Sequence, residues 1–169
     1  NAAVHLCASA PFALAEQEQQ FIVTQLLDSS RELARDSKLI AAVQQQNQQQ
    51  LALREIMQRD TEWQQQVQQR LATATAPAQL TSAAAELLRS WQANNPGLIT
   101  EMILMDNQGV NVAISDMTTD YWQGDETPFL GIFEQQHDYF IDVVEYDQST
   151  QRFQVKLSVP LLNDAGRHI

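Results

Sequence analysis

The sequence predicts an α+β fold, with a helical first part followed by an antiparallel sheet. Three observations carry this. All five glycines lie at or beyond Gly97, while glutamine crowds the earlier part and β-branched residues the later one. The charge is divided at the same point: seven Lys+Arg against nine Asp+Glu through residue 96, then three against twelve from residue 97 onward. Between the two parts stands Asn94-Asn95-Pro96-Gly97, a sequence that stops a helix. A run of helical periodicity followed by a run of strands, without alternation, is the α+β pattern.

The elements follow in order. Residues 1–15 are apolar and rich in small side chains, and they end in Ala13-Leu14-Ala15 before Glu16. That is the pattern a signal peptidase cuts, so these residues read as a residual leader-like segment; an ordinary apolar N-terminal helix is the alternative. Cys7 follows His5-Leu6 rather than a small residue, which speaks against lipidation. From Glu16 to Ser37, Phe21, Ile22, Leu26, Leu33 and Ala34 approach a helical stripe, and Asp36-Ser37 offers a break. Leu39, Ile40 and Val43 begin another turn or two, running into the glutamine-rich 44–50 as an exposed helix face or a loop between helices. Leu51 to Ala72 is the next helix, with Leu53, Ile56, Met57, Trp63, Val67 and Leu71 inward. Residues 73–78 form a linker, and Thr81-Ser82 caps a helix whose apolar face is Leu87, Leu88 and Trp91. The helical part thus spans 16–96.

Residues 97–169 read as the sheet. Leu98–Met105 and Val110–Ser115 make a hairpin around Asp106-Asn107-Gln108-Gly109. A short helix follows at Pro128–Gln136, then a strand at Tyr139–Tyr146, a turn at 147–151, and a strand at Arg152–Val159. In that last strand Phe153, Val155, Leu157 and Val159 face one way, and Arg152, Gln154, Lys156 and Ser158 the other. Leu162 to Gly166 is a turn, after which one more strand is expected and none is present, so the final strand reads as truncated.

The net charge of −11 argues against nucleic-acid or anionic-membrane binding. The single cysteine excludes an internal disulfide and a cysteine-rich metal site. Histidines 5, 137 and 168 are scattered, and no metalloprotease, nucleophile-elbow or phosphate-loop pattern occurs, so no enzyme, cofactor or metal is expected. Asp120 and Asp125 form a carboxylate pair, which keeps a carboxylate-dependent hydrolase as the least favoured reading. A non-ligand-binding adaptor that docks through its Gln-rich helices is the stronger alternative.

Asp106-x-x-Gly109, the segment Asp120-Tyr121-Trp122-Gln123-Gly124-Asp125-Glu126, Val144-Glu145-Tyr146-Asp147 before Ser149-Thr150, Ser158-Val159-Pro160 and Asp164-Ala165-Gly166 occur in this order. Together they resemble the PAS-like extracytoplasmic sensor domains called Cache or PDC domains, over residues 98–169. The resemblance implies N-terminal helices packed on one face of a central antiparallel sheet of about five strands, with a small-molecule pocket on the other face. Two departures stand out: the last strand is lacking, and no membrane span or output domain follows, so signalling would need a partner.

Candidate ligand-binding residues are Tyr121, Trp122, Asp120, Asp125, Lys156, Asp142 and Ser115. The aromatic pair would wall and roof a pocket, Asp125 or Glu126 would accept hydrogen bonds from a ligand amine or hydroxyl, and Lys156 would meet a ligand carboxylate or pair with Asp142 across the sheet. Between Arg89 and Arg152 there is no Lys or Arg, a field that favours a cationic ligand or serves as a solvated acidic surface. The expected function is extracytoplasmic or periplasmic binding of an amino acid, amine or small carboxylate. A membrane signalling protein, and a homodimer through the N-terminal helices, are the expected partners.

Overall fold

The computed structural model describes residues 3–10, 16–68, 76–147 and 152–169. The expected cleavage site at 13–15, the end of the expected 51–72 helix with Leu71, the first three residues of the expected 73–78 linker and the Ser149-Thr150 turn lie outside the described residues. The elements are β1 (Ala3–Ala10), α1 (Glu16–Leu33), α2 (Ser37–Asn47), α3 (Leu53–Gln68), α4 (Ala78–Thr81), α5 (Ala83–Ala93), β2 (Ile99–Met105), β3 (Asn111–Ile114), α6 (Thr127–Phe133), β4 (Phe140–Ile141), β5 (Glu145–Asp147) and β6 (Arg152–Pro160). All paired strands are antiparallel, in the order β3-β2-β1-β6-β4, with β5 also beside β6. The α+β class is thus present, as a six-stranded open sheet with helices.

The largest difference from the sequence-based expectation is β1. The stretch read as a leader is the middle strand, with Val4 opposite Leu104 of β2 on one side and Val159 of β6 on the other. A short apolar run without charge suits a strand buried on both faces as well as a leader's hydrophobic region, and hydropathy alone does not separate them. Placing β1 between β2 and β6 also joins the hairpin to the C-terminal strands. The strand expected over 139–146 is divided. Its backbone pairs with β6 at β4 and at Asp142, whose N–H donates to Lys156 O at 3.0 Å, and pairing resumes at β5.

Alternation along the strands sends side chains to two cores. On one face Val4, Met102, Leu104, Ala113, Val155, Leu157 and Val159 pack with Val23 and Leu26 of α1, Leu39 and Val43 of α2, and Ala85 and Leu88 of α5. On the other face Ala3, Ile103, Met105 and Ile114 pack with Ile56 and Trp63 of α3 and with Phe129 and Ile132 of α6. Helices therefore cover parts of both faces, and the second face is only partly roofed.

Local signals explain several boundaries. Asp36, between α1 and α2, accepts a hydrogen bond from Lys38 N at 2.8 Å and caps α2. Ser82 does the same for α5 through Ala85 N at 3.2 Å. The β2–β3 turn is built by the Asp106 carboxylate, which accepts from Gln108 N at 2.8 Å and Val110 N at 2.9 Å, while Gly109 takes the left-handed φ of 79°. Helix α3 keeps Ile56, Trp63 and Val67 on its inner face as expected, but Leu53 and Met57 are 61% and 45% exposed, and Asp60 joins the inner face.

Candidate functional site

The second sheet face holds a cavity of about 600 Å³, within the range of small-molecule sites. Its floor is the sheet itself: His5 of β1, Glu101 and Ile103 of β2, and Gln154 and Lys156 of β6. Strand register puts them together. Cys7 of β1 stands opposite both Glu101 and Lys156, and His5 opposite both Ile103 and Ser158, so residues of one row share a face. One wall comes from the segment after β3, with Asp116, Thr118 and Gln123; the other comes from the β4–β5 region, with Asp142, Glu145 and Tyr146. Glu126, ahead of α6, reaches over the floor, and its Oε2 accepts from Lys156 Nζ at 2.7 Å.

The cavity is acidic. Five carboxylates line it, from Glu101, Asp116, Glu126, Asp142 and Glu145, against the one cation Lys156. His5 adds no charge: burial first, and then the positive charge of Lys156, push its imidazole down to about 3. The ring is 2% exposed, and its Nε2 has no hydrogen-bond partner among the described residues. A buried polar atom left unpaired is costly, on the order of 1–3 kcal/mol. Beside it on β6, the Ser158 hydroxyl is also buried without a partner among the described residues.

Of the seven candidate residues, Lys156 and Asp142 line this cavity and the other five do not, while Glu126, offered beside Asp125 as an acceptor, lines it too. Tyr121 is 4% exposed, its ring 5.8 Å from that of Trp63 in the core. Trp122 forms a bridge with Val110 and donates its indole N–H to Gln108 O at 2.7 Å. Asp120 is occupied by Gln64 Nε2 at 2.7 Å and Thr119 Oγ1 at 2.7 Å, and Asp125 points to solvent. Ser115 is buried, its hydroxyl accepting from Met102 N at 2.9 Å.

The aromatic-acidic segment is thus a fastener rather than a roof. Asp60 of α3 accepts from Tyr121 N at 2.8 Å and Trp122 N at 3.1 Å, and Trp63 Nε1 donates to Thr118 O at 2.9 Å. Asn111 Nδ2 donates to Asp120 O at 2.9 Å, tying the segment to β3. Gly124 lies under the Trp122 indole, where a Cβ would overlap the ring. These bonds hold Thr118 and Gln123 against the cavity, so the segment shapes the wall while its own aromatics stay packed. Lys156, read as meeting a ligand carboxylate or pairing with Asp142, forms an ion pair with Glu126.

Sequence reasoning passed over His5, Glu101, Asp116, Glu145 and Gln154 as site residues. The lone histidine within the apolar run 3–10 is the signal that pointed to it, since a polar ring there has no use in a leader. The carboxylates were visible only as an acidic field, because their convergence depends on strand order.

The arrangement defines an α+β protein with an acidic cavity over an antiparallel sheet. Comparison with family models, curated proteins and solved structures found no match, so the site is read from its own geometry. Among the described residues no cluster of His, Cys, Asp and Glu is placed to hold a metal ion. No described helix is long and apolar enough to cross a membrane.

Proposed function

We propose that this chain is a small-molecule-sensing domain of the PAS-like Cache or PDC kind, acting outside the cytoplasm and passing its ligand state to a signalling partner. The ligand is a small amine or amino acid held over the sheet, and the domain binds without turning it over. The observation that carries this reading is the cavity above β1, β2 and β6, where Lys156, Glu101, Asp142 and the unpaired His5 nitrogen converge. The order of hairpin, fastened loop, short helix and C-terminal strands supports the PAS-like assignment. The N-terminal helices supply the surface for a homodimer or for the partner.

The test is a thermal-shift screen of amines, amino acids and small carboxylates on the full chain. A ligand at a hundred times its Kd stabilises the folded state by about 2.7 kcal/mol, which raises Tm by several degrees. Asp142→Asn removes one cavity carboxylate from a half-buried position and leaves the core untouched. It should reduce the shift while changing the unliganded Tm little; Trp122→Phe should leave the shift in place. A screen in which no compound moves Tm contradicts the sensor reading and favours the adaptor.

A further inference from the structure

The cavity is acidic at its two sides, and in the middle Lys156 and Glu126 form an ion pair. On one side Glu101 and Asp116 stand at β2 and the segment after β3, and the buried His5 lies on β1, the strand beside β2. On the other, Asp142 and Glu145 stand beyond β6. Sheet order separates β2 from the β4–β5 strands by three inter-strand spacings, about 14 Å between backbones. Lys156 rises from the floor between the two sides, already joined to Glu126.

We propose that the cavity takes an aliphatic α,ω-diamine, with one ammonium between Glu101, Asp116 and the His5 nitrogen that has no partner among the described residues, the other at Asp142 and Glu145, and an uncharged chain over the Lys156–Glu126 pair. This rests on the reading of the cavity as a ligand site and names its ligand class. Each part of the ligand answers a feature of the cavity. The two carboxylate pairs call for two positive ends. His5 is kept neutral by burial and by Lys156, so it can accept an N–H, which an ammonium supplies. A ligand nitrogen charged at the centre would give up water without gaining a partner, because Glu126 is already taken by Lys156. A carboxylate at either end would face two like charges.

Octane-1,8-diamine and spermidine have the same chain length between terminal amines and differ by the charged nitrogen within it, so the pair isolates the central condition. Isothermal titration of the full chain with butane-1,4-diamine, octane-1,8-diamine, spermidine, butylamine and glutamate provides the readout. A diamine should bind at least about tenfold more tightly than butylamine, because the second ammonium gains its own charge-assisted hydrogen bonds. Octane-1,8-diamine should exceed spermidine by a similar factor, and Lys156→Met, which leaves Glu126 without its cation, should reverse the order. Asp142→Asn with Glu145→Gln should bring the diamine close to butylamine; both positions are outside the cores, and circular dichroism checks that the variant is folded. A diamine no tighter than butylamine, or spermidine equal to octane-1,8-diamine, overturns the proposal. Binding of glutamate or another amino acid alone overturns it while leaving the ligand site in place, and no binding by any compound in this set or the wider screen overturns both.

Discussion

Removing residues 1–15 should abolish cooperative unfolding. β1 is hydrogen-bonded along both edges, to β2 from Val4 to Ala8 and to β6 from Ala3 to Ala10. Without it, two inner strands lose their partner and the buried Val4 leaves a gap in the core shared with α1 and α5. The loss exceeds the whole stability of an ordinary domain, roughly 5–15 kcal/mol. The exposed edges of β2 and β6 then favour self-association. Circular dichroism melting and size-exclusion chromatography of a chain starting at Glu16 read the result: no sigmoidal transition and a shift to large species. The leader reading makes the opposite forecast, a chain from Glu16 that melts like the longer one. A point change separates strand loss from mere truncation. Val4→Asp, which places a charge where Val4 is fully buried, should be nearly as damaging as the deletion, and Val4→Ile far less.

Acid should destabilise the protein through His5, and the sign is fixed by the direction of its shift. The folded-state value, about 3, lies below the ordinary 6.5. Between those values the unfolded chain binds a proton there and the folded one does not, so stability is fully present above about pH 6.5 and is lost as pH falls toward 3. At pH 4.5 the loss from this one group is about 3 kcal/mol. His168, also lowered by burial, acts in the same direction; Asp106, raised by burial, acts in the opposite one and gains stability as it protonates. Urea unfolding at pH 7 and pH 4.5 measures the sum. His5→Gln keeps a neutral polar side chain of similar reach and removes the titration, so its stability should depend on pH much less than the parent's over this range. Equal pH dependence in parent and variant would contradict the burial of a neutral His5.

Much of the fold was legible because it rests on local chemistry. The hairpin turn follows from one carboxylate and one glycine at Asp106 and Gly109, and β6 from alternation between Phe153 and Val159. Helix starts at Asp36 and Ser82 follow from side-chain caps. What the sequence hid is long-range. Nothing in residues 3–10 announces that their partners lie about a hundred and a hundred and fifty residues away, because pairing is decided by the whole sheet. The site suffered most from this. Tyr121 and Trp122 look like pocket residues for their chemistry, yet Asp60, Trp63 and Gln108 claim them, and that claim needs α3 laid across the loop. A carboxylate at the middle of the Ile56–Trp63 stripe is the sequence trace of that contact. Lys156 was legible as the cation on the polar face of β6, whereas its companions depended on which strand came next.

The central claim is that ligand binds on the sheet floor around His5, Glu101, Asp142 and Lys156, away from the Tyr121–Trp122 segment. Two-dimensional amide NMR of the labelled full chain, titrated with octane-1,8-diamine, tests it most directly. The account predicts saturable shifts at His5, Glu101, Asp142 and Lys156, with the Trp122 indole N–H unmoved on its bond to Gln108. Shifts centred on the Trp122 indole and Tyr121, with the sheet floor silent, would contradict it.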